Sequence, residues 1–505
     1  MISFLVLFMS PILSYKCKKT FLFSNITLLF FDILAVLILS IIWKMSGRHL
    51  SKFIDKYGTG FIVFCSMILF LVQVYICYNI YFLSGWDVGY VIAVARASIA
   101  ERPLNNAYSY FSRYPNNILI LWIFTKILKI NIDFGILDTA NGLMAIITLN
   151  CIISTLSSIL VYKCTEKLTN KKWAIFAWIV YFLLIGTSPW LVITYSDSLA
   201  LFLPILIFYI YTRDLKGKYY LLKWFFIGII SFLGYHIKPQ VIIIFIAIVI
   251  VEILRFIFLT NNMKKKKIFT LVILIFTFFL SSVIFKTICK DTKLIINAER
   301  KFGFAHFAMM GLNFKTTGIY NQDDVNFSGK YATLSERNKA NITVIKERLN
   351  NYGVSGYIKF LVQKTLVNYG DGTFAWSLEG GFYKEKYDDK NAWISPILKS
   401  CYYNDGKNYN KTSTFEQAVW IGIILSMLGS IFIHKHSIDN KIAVLMLTVM
   451  GLTVFVLLFE ARARYLYIYS PIYIVLCTLG LKNMVIKIKT LRQNAYLKYK
   501  NKKYK

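Results

Sequence analysis

Acidic residues are scarce in this sequence of 505 residues: 25 Asp and Glu stand against 58 Lys and Arg. Several nucleotide and metal motifs are also missing. There is no GxxxxGK(S/T) loop, no GxGxxG turn placed after a strand, and no HExxH or CxxC pattern. The sequence therefore gives no reason to expect a P-loop, a dinucleotide-binding fold or a standard zinc site.

Paired cysteines are missing as well. The eight Cys residues show no metal-ligand spacing, and most lie in apolar runs, where Cys acts as a small hydrophobic side chain. Only Cys289 and Cys401 fall in a long polar segment, and a disulfide between them has no further support. The N-terminus lacks a basic region followed by a small-residue cleavage site, so we expect no removed signal peptide.

Long apolar runs are abundant. The chain is 57% hydrophobic and 16% charged, whereas about a quarter of the residues in a soluble domain are charged. Because each run can cross about 30 Å of hydrocarbon, the sequence predicts an all-α polytopic membrane protein with 11–13 transmembrane helices. Residues 1–14 either span, lie in the interface or pack against the next segment. The other candidate spans are 20–43, 60–83, 136–162, 173–190, 192–212, 222–237, 239–257, 268–288, 415–433, 441–459 and 464–482.

Basic residues cluster between these runs, and this distribution is typical of cytoplasmic loops under the positive-inside rule. If all these clusters are cytoplasmic, the spans from residue 60 to the end of the chain alternate in direction without conflict. The positive charge therefore indicates a multi-pass topology in the cell membrane and not nucleic-acid binding. The clusters lie at 44–56, 163–172, 213–223, 264–267, 434–441 and 482–505.

The apolar stretch Asn117–Ile130 does not fit as a further span, because an added crossing would invert every later loop. It is short and contains Lys126 and Lys129. We predict an amphipathic helix in the outer interface, with a short true span as the alternative.

Two large outer segments follow from this topology. The loop 84–135 carries the interfacial helix, and the segment 289–414 holds 12 of the 25 acidic residues together with 18 basic ones. A helical pattern covers about 335–364. The predicted organisation is an N-terminal transmembrane module (1–288), a mixed extracytoplasmic subdomain (289–414), C-terminal transmembrane helices (415–482) and a basic cytoplasmic tail (483–505).

Asp87 follows an apolar span directly and stands next to Trp86. A carboxylate at the membrane edge is costly unless it is used, and it could accept a proton from a hydroxyl or hold a divalent cation. The structural alternative is an N-cap for a helix over 88–100.

The same outer loop contains Arg96, Arg113, Tyr114 and Asn116. Arginine near the headgroup level commonly contacts lipid phosphate as a structural anchor. It also suits recognition of a phosphate leaving group, so we include these residues among the candidate substrate contacts.

Two later turns reach the outer face in the same topology. Tyr195 and Asp197 begin a span, where a carboxylate also suits the helix dipole. His236 and Lys238 lie in the next outer turn. They could neutralise a phosphate, and a snorkelling Lys is the alternative.

Arg462 and Arg464 lie outside against the positive-inside trend, so they should have a partner, either Glu460 or a phosphate. A Gly-rich aromatic loop holds three further candidates for sugar contacts, although such loops also simply cover membrane domains. These three are Asp371, Trp376 and Glu379.

In their order along the chain these segments resemble the GT-C superfamily of multi-spanning glycosyltransferases, specifically bacterial proteins of the glycosyltransferase family 39 or mannosyltransferase-like type. The resemblance covers most of the chain and rests on the order and common outer placement of short motifs. These are GWD at 85–87, YPNN at 114–117, YSDS at 195–198, HIKPQ at 236–240, DGTFAW at 371–376 and EARARYL at 460–466.

The resemblance implies a GT-C-like fold and an inverting hexosyltransferase. Its donor would be a polyprenyl-phosphate sugar, and its acceptor a cell-envelope glycan, lipid or protein on the outer face. Asp87 would be the base or would orient the acceptor hydroxyl. Arg462, Arg464 and Lys238, with His236, would hold the departing phosphate.

The sequence departs from the common DxD or ExD form, because Val88 and Gly89 follow Asp87. The sequence therefore identifies no cofactor with certainty, and the binding of a divalent metal is an open alternative. The competing interpretations are a transporter or lipid flippase, and a polysaccharide polymerase or ligase of another fold.

Overall fold

The computed structural model describes residues 1–9, 21–104, 107–133, 139–257, 261–432 and 439–503. Within these ranges the chain is almost entirely α-helical, with one two-stranded sheet, so the predicted fold class of a helical membrane protein is confirmed. The predicted basic loop at 434–436 and part of the 1–14 segment lie outside the described ranges. Cys289 and Cys401 are free thiols.

Helices of seven or more residues form the framework. The first nine are α1 Asn25–Ile80, α2 Asp87–Ile99, α3 Ala107–Arg113, α4 Asn117–Asp133, α5 Thr139–Leu168, α6 Lys171–Tyr181, α7 Phe202–Thr212, α8 Lys218–Ile237 and α9 Ile242–Ile257. The next eight are α10 Asn261–Asp291, α11 Phe304–Gly311, α12 Gln322–Gly329, α13 Leu334–Tyr369, α14 Ile394–Tyr402, α15 Tyr409–Ser426, α16 Asn440–Leu458 and α17 Ser470–Lys503.

In the described part of the chain, eight helices are long and apolar enough to cross a membrane, fewer than the 11–13 predicted. Of the other three predicted spans, 20–43 falls on the first half of α1, and 173–190 and 192–212 fall on shorter helical segments. A 3-10 turn at Pro189–Val192 interrupts the apolar stretch that contains the last two. The eight are Ser51–Ile80, Gly142–Leu168, Tyr219–Ile237, Pro239–Ile257, Ile268–Asp291, Tyr409–Phe432, Asn440–Leu458 and Ser470–Leu497.

Helix α1 folds back on itself. Its first residue, Asn25, accepts a hydrogen bond from Gln417, which also accepts one from the backbone N–H of Gly372. Its last residue, Ile80, accepts one from Tyr403 at the same end of the molecule. A straight helix of this length would hold its ends about 84 Å apart, so the two apolar halves run in opposite directions, as the separate spans 20–43 and 60–83 predict.

The predicted basic loops meet at one end of the bundle. Asp214 forms ion pairs with Lys167 (3.1 Å) and Lys441 (3.5 Å), and Lys171 donates to the backbone carbonyl of Asp55. Loops around residues 87, 196, 238 and 462 meet at the opposite end, where they line one cavity. The structure thus separates the two sets of loops as the charge pattern predicts.

Helix α4, the predicted interfacial helix, stays at the cavity end. Asn117 at its start lines the cavity, and Leu128 near its end contacts Gly142 at the start of a membrane-spanning helix. Between them, Trp122 (2.7 Å) and Lys126 (2.8 Å) bind the carboxylate of Asp291, the last residue of α10. These contacts fit a helix that lies across this end and does not traverse the bundle.

The segment 289–414 is folded and returns to the loop before Asp87. Strand β1 (Phe82–Ser84) pairs antiparallel with β2 (Tyr383–Lys386) in this segment. The predicted helical pattern at 335–364 appears as α13, which breaks at Gly353, where φ is +57°. The sheet therefore holds the residues just before Asp87 against residues 383–386 of the outer segment.

Two glycines allow α17 to approach the end of α15 and the 3-10 segment Met427–Phe432 that follows it. A Cβ at Gly429 would lie 2.1 Å from the carbonyl oxygen of Gly480, and a Cβ at Gly480 would lie 2.1 Å from that of Ser426. Small residues at such crossings let membrane helices pack through their backbones.

We expect Gly480→Ala to destabilise the protein by about 1–3 kcal/mol, because the new methyl group meets backbone atoms that cannot move aside. Gly60→Ala is the matched control, since nothing lies within 4 Å of its Cβ position and Ala favours a helix. Thermal unfolding in detergent measures both variants. Equal melting temperatures for the two would contradict this packing.

Candidate functional site

A cavity of about 800 Å³ opens at the end of the bundle opposite the basic loops. Its walls come from the start of α2, the α3–α4 junction, the turns before α7 and α9, the start of α11 and the segment before α17. Eleven of the predicted site residues line it. They are Trp86, Asp87, Arg113, Tyr114, Asn116, Tyr195, His236, Lys238, Glu379, Arg462 and Arg464.

Asp87 occupies the first turn of α2 directly after strand β1. The helix starts tightly against the strand, since a Cβ at Gly89 would lie 1.8 Å from the carbonyl oxygen of Ser84. Tyr195 donates a hydrogen bond of 3.1 Å to Asp87 Oδ2, and Asn117 donates one of 3.3 Å to the same tyrosine oxygen. These contacts hold the carboxylate at the cavity wall.

Five charged side chains form an ion network beside this carboxylate: Lys238, Asp197, Arg464, Glu379 and Arg462. Asp197 lies 2.8 Å from Lys238 Nζ and 3.5 Å from Arg464 Nε. Glu379 lies 3.1 Å from Arg464 Nη1 and 2.6 Å from Arg462 Nε. The two arginines therefore form ion pairs with a carboxylate from the outer segment, and Glu460, the acidic partner that the sequence suggested, also interacts with both.

Aromatic faces complete the ion network. The guanidinium of Arg464 lies 4.7 Å from the ring centre of Trp86, and Lys238 lies 4.6 Å from that of Tyr465. Burial lowers the pKa of Lys238, Arg464 adds to that effect, and Asp197 opposes it. Burial also raises the pKa of Tyr195 well above its usual value, with a further rise from Asp87, so this tyrosine stays a hydrogen-bond donor.

The charges of the cavity fall into two groups. The ion network carries three positive and two negative charges, and Glu460 adds a third carboxylate that interacts with both arginines and Lys238. Arg113 and Lys301 also line the cavity. In the described part of the chain, no carboxylate lies within 4 Å of either one, and Arg113 instead faces the ring of Phe302 at 5.8 Å.

The wall formed by α11 is aromatic and contains a histidine. Phe302, Phe307 and His306 line it, and the ring centres of His306 and Phe302 lie 4.2 Å apart. His306 Nδ1 lies 2.7 Å from Ser328 Oγ. Burial lowers the pKa of His306 to about 4, which Asp324 opposes and Arg337 reinforces.

Four predicted site residues lie outside the cavity lining. Asp197 is 2% exposed and is part of the ion network. Asp371 accepts from Thr373 and Ala375 within its own turn, Trp376 donates to the carbonyl of Tyr402, and Arg96 interacts with Tyr387. The Gly-rich loop is therefore largely buried structure, and only Glu379 from it reaches the cavity.

The sequence interpretation did not include several residues that line the cavity. Most of them carry no local motif, although two lie within the YPNN and EARARYL segments, and their placement depends on the packing of distant segments. The main ones are Tyr110, Asn117, Lys301, His306 and Tyr465. Across the described ranges, no group of three or more His, Cys, Asp or Glu side chains is placed to hold a metal ion.

Comparison with known proteins places the chain among membrane proteins. The model of a family described as "Conserved hypothetical integral membrane protein" matches residues 1–485. No curated protein sequence matches significantly.

Two solved structures of the oligosaccharyltransferase from Archaeoglobus fulgidus are similar to the chain at 12% identity. One is AglB in complex with an inhibitory peptide and a dolichol-phosphate (TM-score 0.47, 88% of this chain covered). The other is the apo form (TM-score 0.46, 87% covered). The chain spans about half the length of these proteins, 52% in each case.

We expect Asp197→Asn to lower the stability of the protein by about 3–5 kcal/mol, because removing one partner of a buried ion pair leaves a buried charge uncompensated. Asp214→Asn is the control, since this carboxylate also has two cationic partners, Lys167 and Lys441, but is 67% exposed. It should cost less than about 1 kcal/mol. Similar shifts in the unfolding temperature of both variants would argue against a tightly coupled network.

Proposed function

The chain belongs to the family of conserved hypothetical integral membrane proteins, and from that premise we propose that it is a membrane glycosyltransferase. In this proposal it transfers a hexose from a polyprenyl-phosphate donor to a cell-envelope glycan, lipid or protein acceptor. The reaction takes place at the extracytoplasmic face of the cell membrane. The observation that supports it most is a single cavity that joins a carboxylate, a cationic network and apolar walls.

The proposed ligand matches the cavity in charge and polarity. The polar part holds Asp87 and the ion network, and Arg113 and Lys301 supply positive charge with no carboxylate within 4 Å among the described residues. Phe285, near the end of membrane-spanning helix α10, supplies part of the apolar wall. Because α10 exposes apolar side chains such as Phe279 along its length, a lipid chain could extend beside it while an anionic head enters the cavity.

The proposed reaction uses the residues in defined roles. The oxygen of the acceptor hydroxyl attacks the anomeric carbon, and its proton passes to Asp87 at Oδ1, because Oδ2 accepts from Tyr195. The bond between the anomeric carbon and the phosphate oxygen breaks, and polyprenyl phosphate leaves. Attack opposite to the leaving group inverts the anomeric centre.

Positive side chains offset the charge that develops on the leaving phosphate. Lys238, Arg462 and Arg464 are already held in place by carboxylates, so they require little reorganisation. Arg113 and Lys301 add positive charge that would bind the phosphate directly. This division assigns positioning to the ion network and net electrostatic attraction to Arg113 and Lys301.

We expect Asp87→Asn to lower the rate of sugar transfer by about 10²–10⁴-fold, since the base is lost while the side-chain shape and the contact with Tyr195 remain. The assay supplies purified protein in nanodiscs with a panel of polyprenyl-phosphate hexoses and measures lipid-phosphate release. Asp323→Asn is the control, because Asp323 also lies in the first turn of a helix but is exposed and outside the cavity.

If Asp87→Asn transferred sugar at the wild-type rate, Asp87 would not be the catalytic base. A wild-type protein that moves lipid-linked sugars across vesicle membranes without a covalent product would favour the transporter or flippase alternative.

The orientation is tested separately by labelling with a membrane-impermeant thiol reagent. Arg102→Cys, exposed in the outer loop, should react in intact cells, whereas Lys216→Cys, exposed in a basic loop, should react only after permeabilisation. The unaltered protein corrects for native thiols. The opposite pattern would place the cavity on the cytoplasmic side.

A further inference from the structure

His306 is a buried polar residue that the proposed reaction does not use. It lies in the first turn of α11, is fully buried and lines the cavity. Its ring packs on Phe302 and contacts Phe307 edge-on at 5.1 Å. The histidine is therefore held in one orientation within an aromatic wall.

The hydrogen bonds of His306 define which ring nitrogen carries the proton. In the orientation of the Asn341 amide that the structure shows, Ser328 Oγ donates to Asn341 Oδ1 at 3.0 Å, and Asn341 Nδ2 has no partner among the described residues. A hydroxyl has one proton to donate. Because that proton goes to Asn341, the 2.7 Å contact with His306 requires Nδ1–H to donate to Ser328.

Nε2 is then left as an acceptor. In the neutral imidazole only one nitrogen carries a proton, and burial keeps the pKa of His306 near 4, so the ring is neutral at physiological pH. Among the described residues, Nε2 is buried without a hydrogen-bond partner. A buried acceptor left unpaired is unfavourable, so a donor from a ligand in the cavity would satisfy it.

We propose that His306 is a specificity-determining residue that accepts a hydrogen bond at Nε2 from one hydroxyl of a carbohydrate bound in the cavity. Naming the ligand a carbohydrate rests on the proposed function. The wall suits this ligand class, because Phe302 and Phe307 offer apolar faces beside one fixed acceptor, and a sugar presents C–H faces and hydroxyl donors together. A site that pairs a specific hydroxyl rejects analogues lacking it.

The first measurement concerns the tautomer and needs no ligand. Solid-state ¹⁵N NMR of histidine-labelled protein in liposomes should show one ring with an unprotonated Nε2 and a protonated Nδ1 at neutral pH. His306→Gln assigns that signal by its loss. A protonated Nε2 at this residue overturns the proposal.

The second measurement is binding, with His306→Phe chosen because it keeps an aromatic ring in the wall. We expect this variant to bind polyprenyl-phosphate hexoses roughly tenfold more weakly than wild type, and sugar-free polyprenyl phosphate equally well. The sugar-free lipid controls for folding within the same variant. Equal loss for both lipids overturns the proposal, and so does unchanged binding of the lipid-linked sugars together with unchanged binding of methyl glycosides.

Deoxy analogues of the sugar identify the hydroxyl that donates to His306 Nε2. Wild type and His306→Phe should bind one of these analogues with equal affinity, because that analogue lacks the donating hydroxyl. If the selectivity appears with methyl glycosides and not with the lipid-linked sugars, the hydroxyl belongs to the acceptor side. Selective binding without any sugar transfer would overturn the proposed reaction while supporting this role of His306.

Discussion

The cavity depends on one electrostatic constraint: positive side chains at the ends of apolar helices must be compensated when they are buried. Moving an ion out of water costs several kcal/mol unless it is paired. Asp197 and Glu379 supply the compensation by bridging Lys238, Arg464 and Arg462. Since these residues come from separate parts of the chain, their pairing determines how the parts meet.

The outer segment helps to build the site and does not merely cover it. Lys364 donates to the backbone carbonyls of Gly311 and Phe459, and Asn368 accepts from the backbone N–H of Arg462. Both residues lie near the end of α13. The orientation of the arginines is therefore set by hydrogen bonds from a helix of the outer segment as well as by Glu379.

The parts of the fold that could be predicted from the sequence follow from strong local signals. Apolar runs predicted the membrane-spanning helices, and the basic residues at 44–56 predicted the reversal within α1. Asp87, Lys238 and the two arginines could be placed at one end of the bundle because topology fixes which loops share a side. The 3-10 turn at Pro189–Val192 lies between the predicted spans 173–190 and 192–212, and hydropathy alone does not register such a turn.

The ion-pair and hydrogen-bond partners of the cavity residues could not be predicted from the sequence. Glu460 is the acid adjacent in sequence to the arginines, whereas the ion pairs form with Glu379, more than 80 residues earlier. His306 has no motif around it, and its importance comes from Ser328 and Asn341. Asp371 and Trp376 belong to an aromatic, Gly-rich loop that suggested sugar binding, but their polar groups bond within the protein.

The pairing of β1 with β2 joins segments that are about 300 residues apart in the sequence. During synthesis, the first helices enter the membrane long before Tyr383–Lys386 or the arginines have left the ribosome. Until then Asp87 has neither its neighbouring strand nor the cations opposite it. The nascent N-terminal half thus cannot hold an assembled cavity, and this end of the protein matures only when the last helix is inserted.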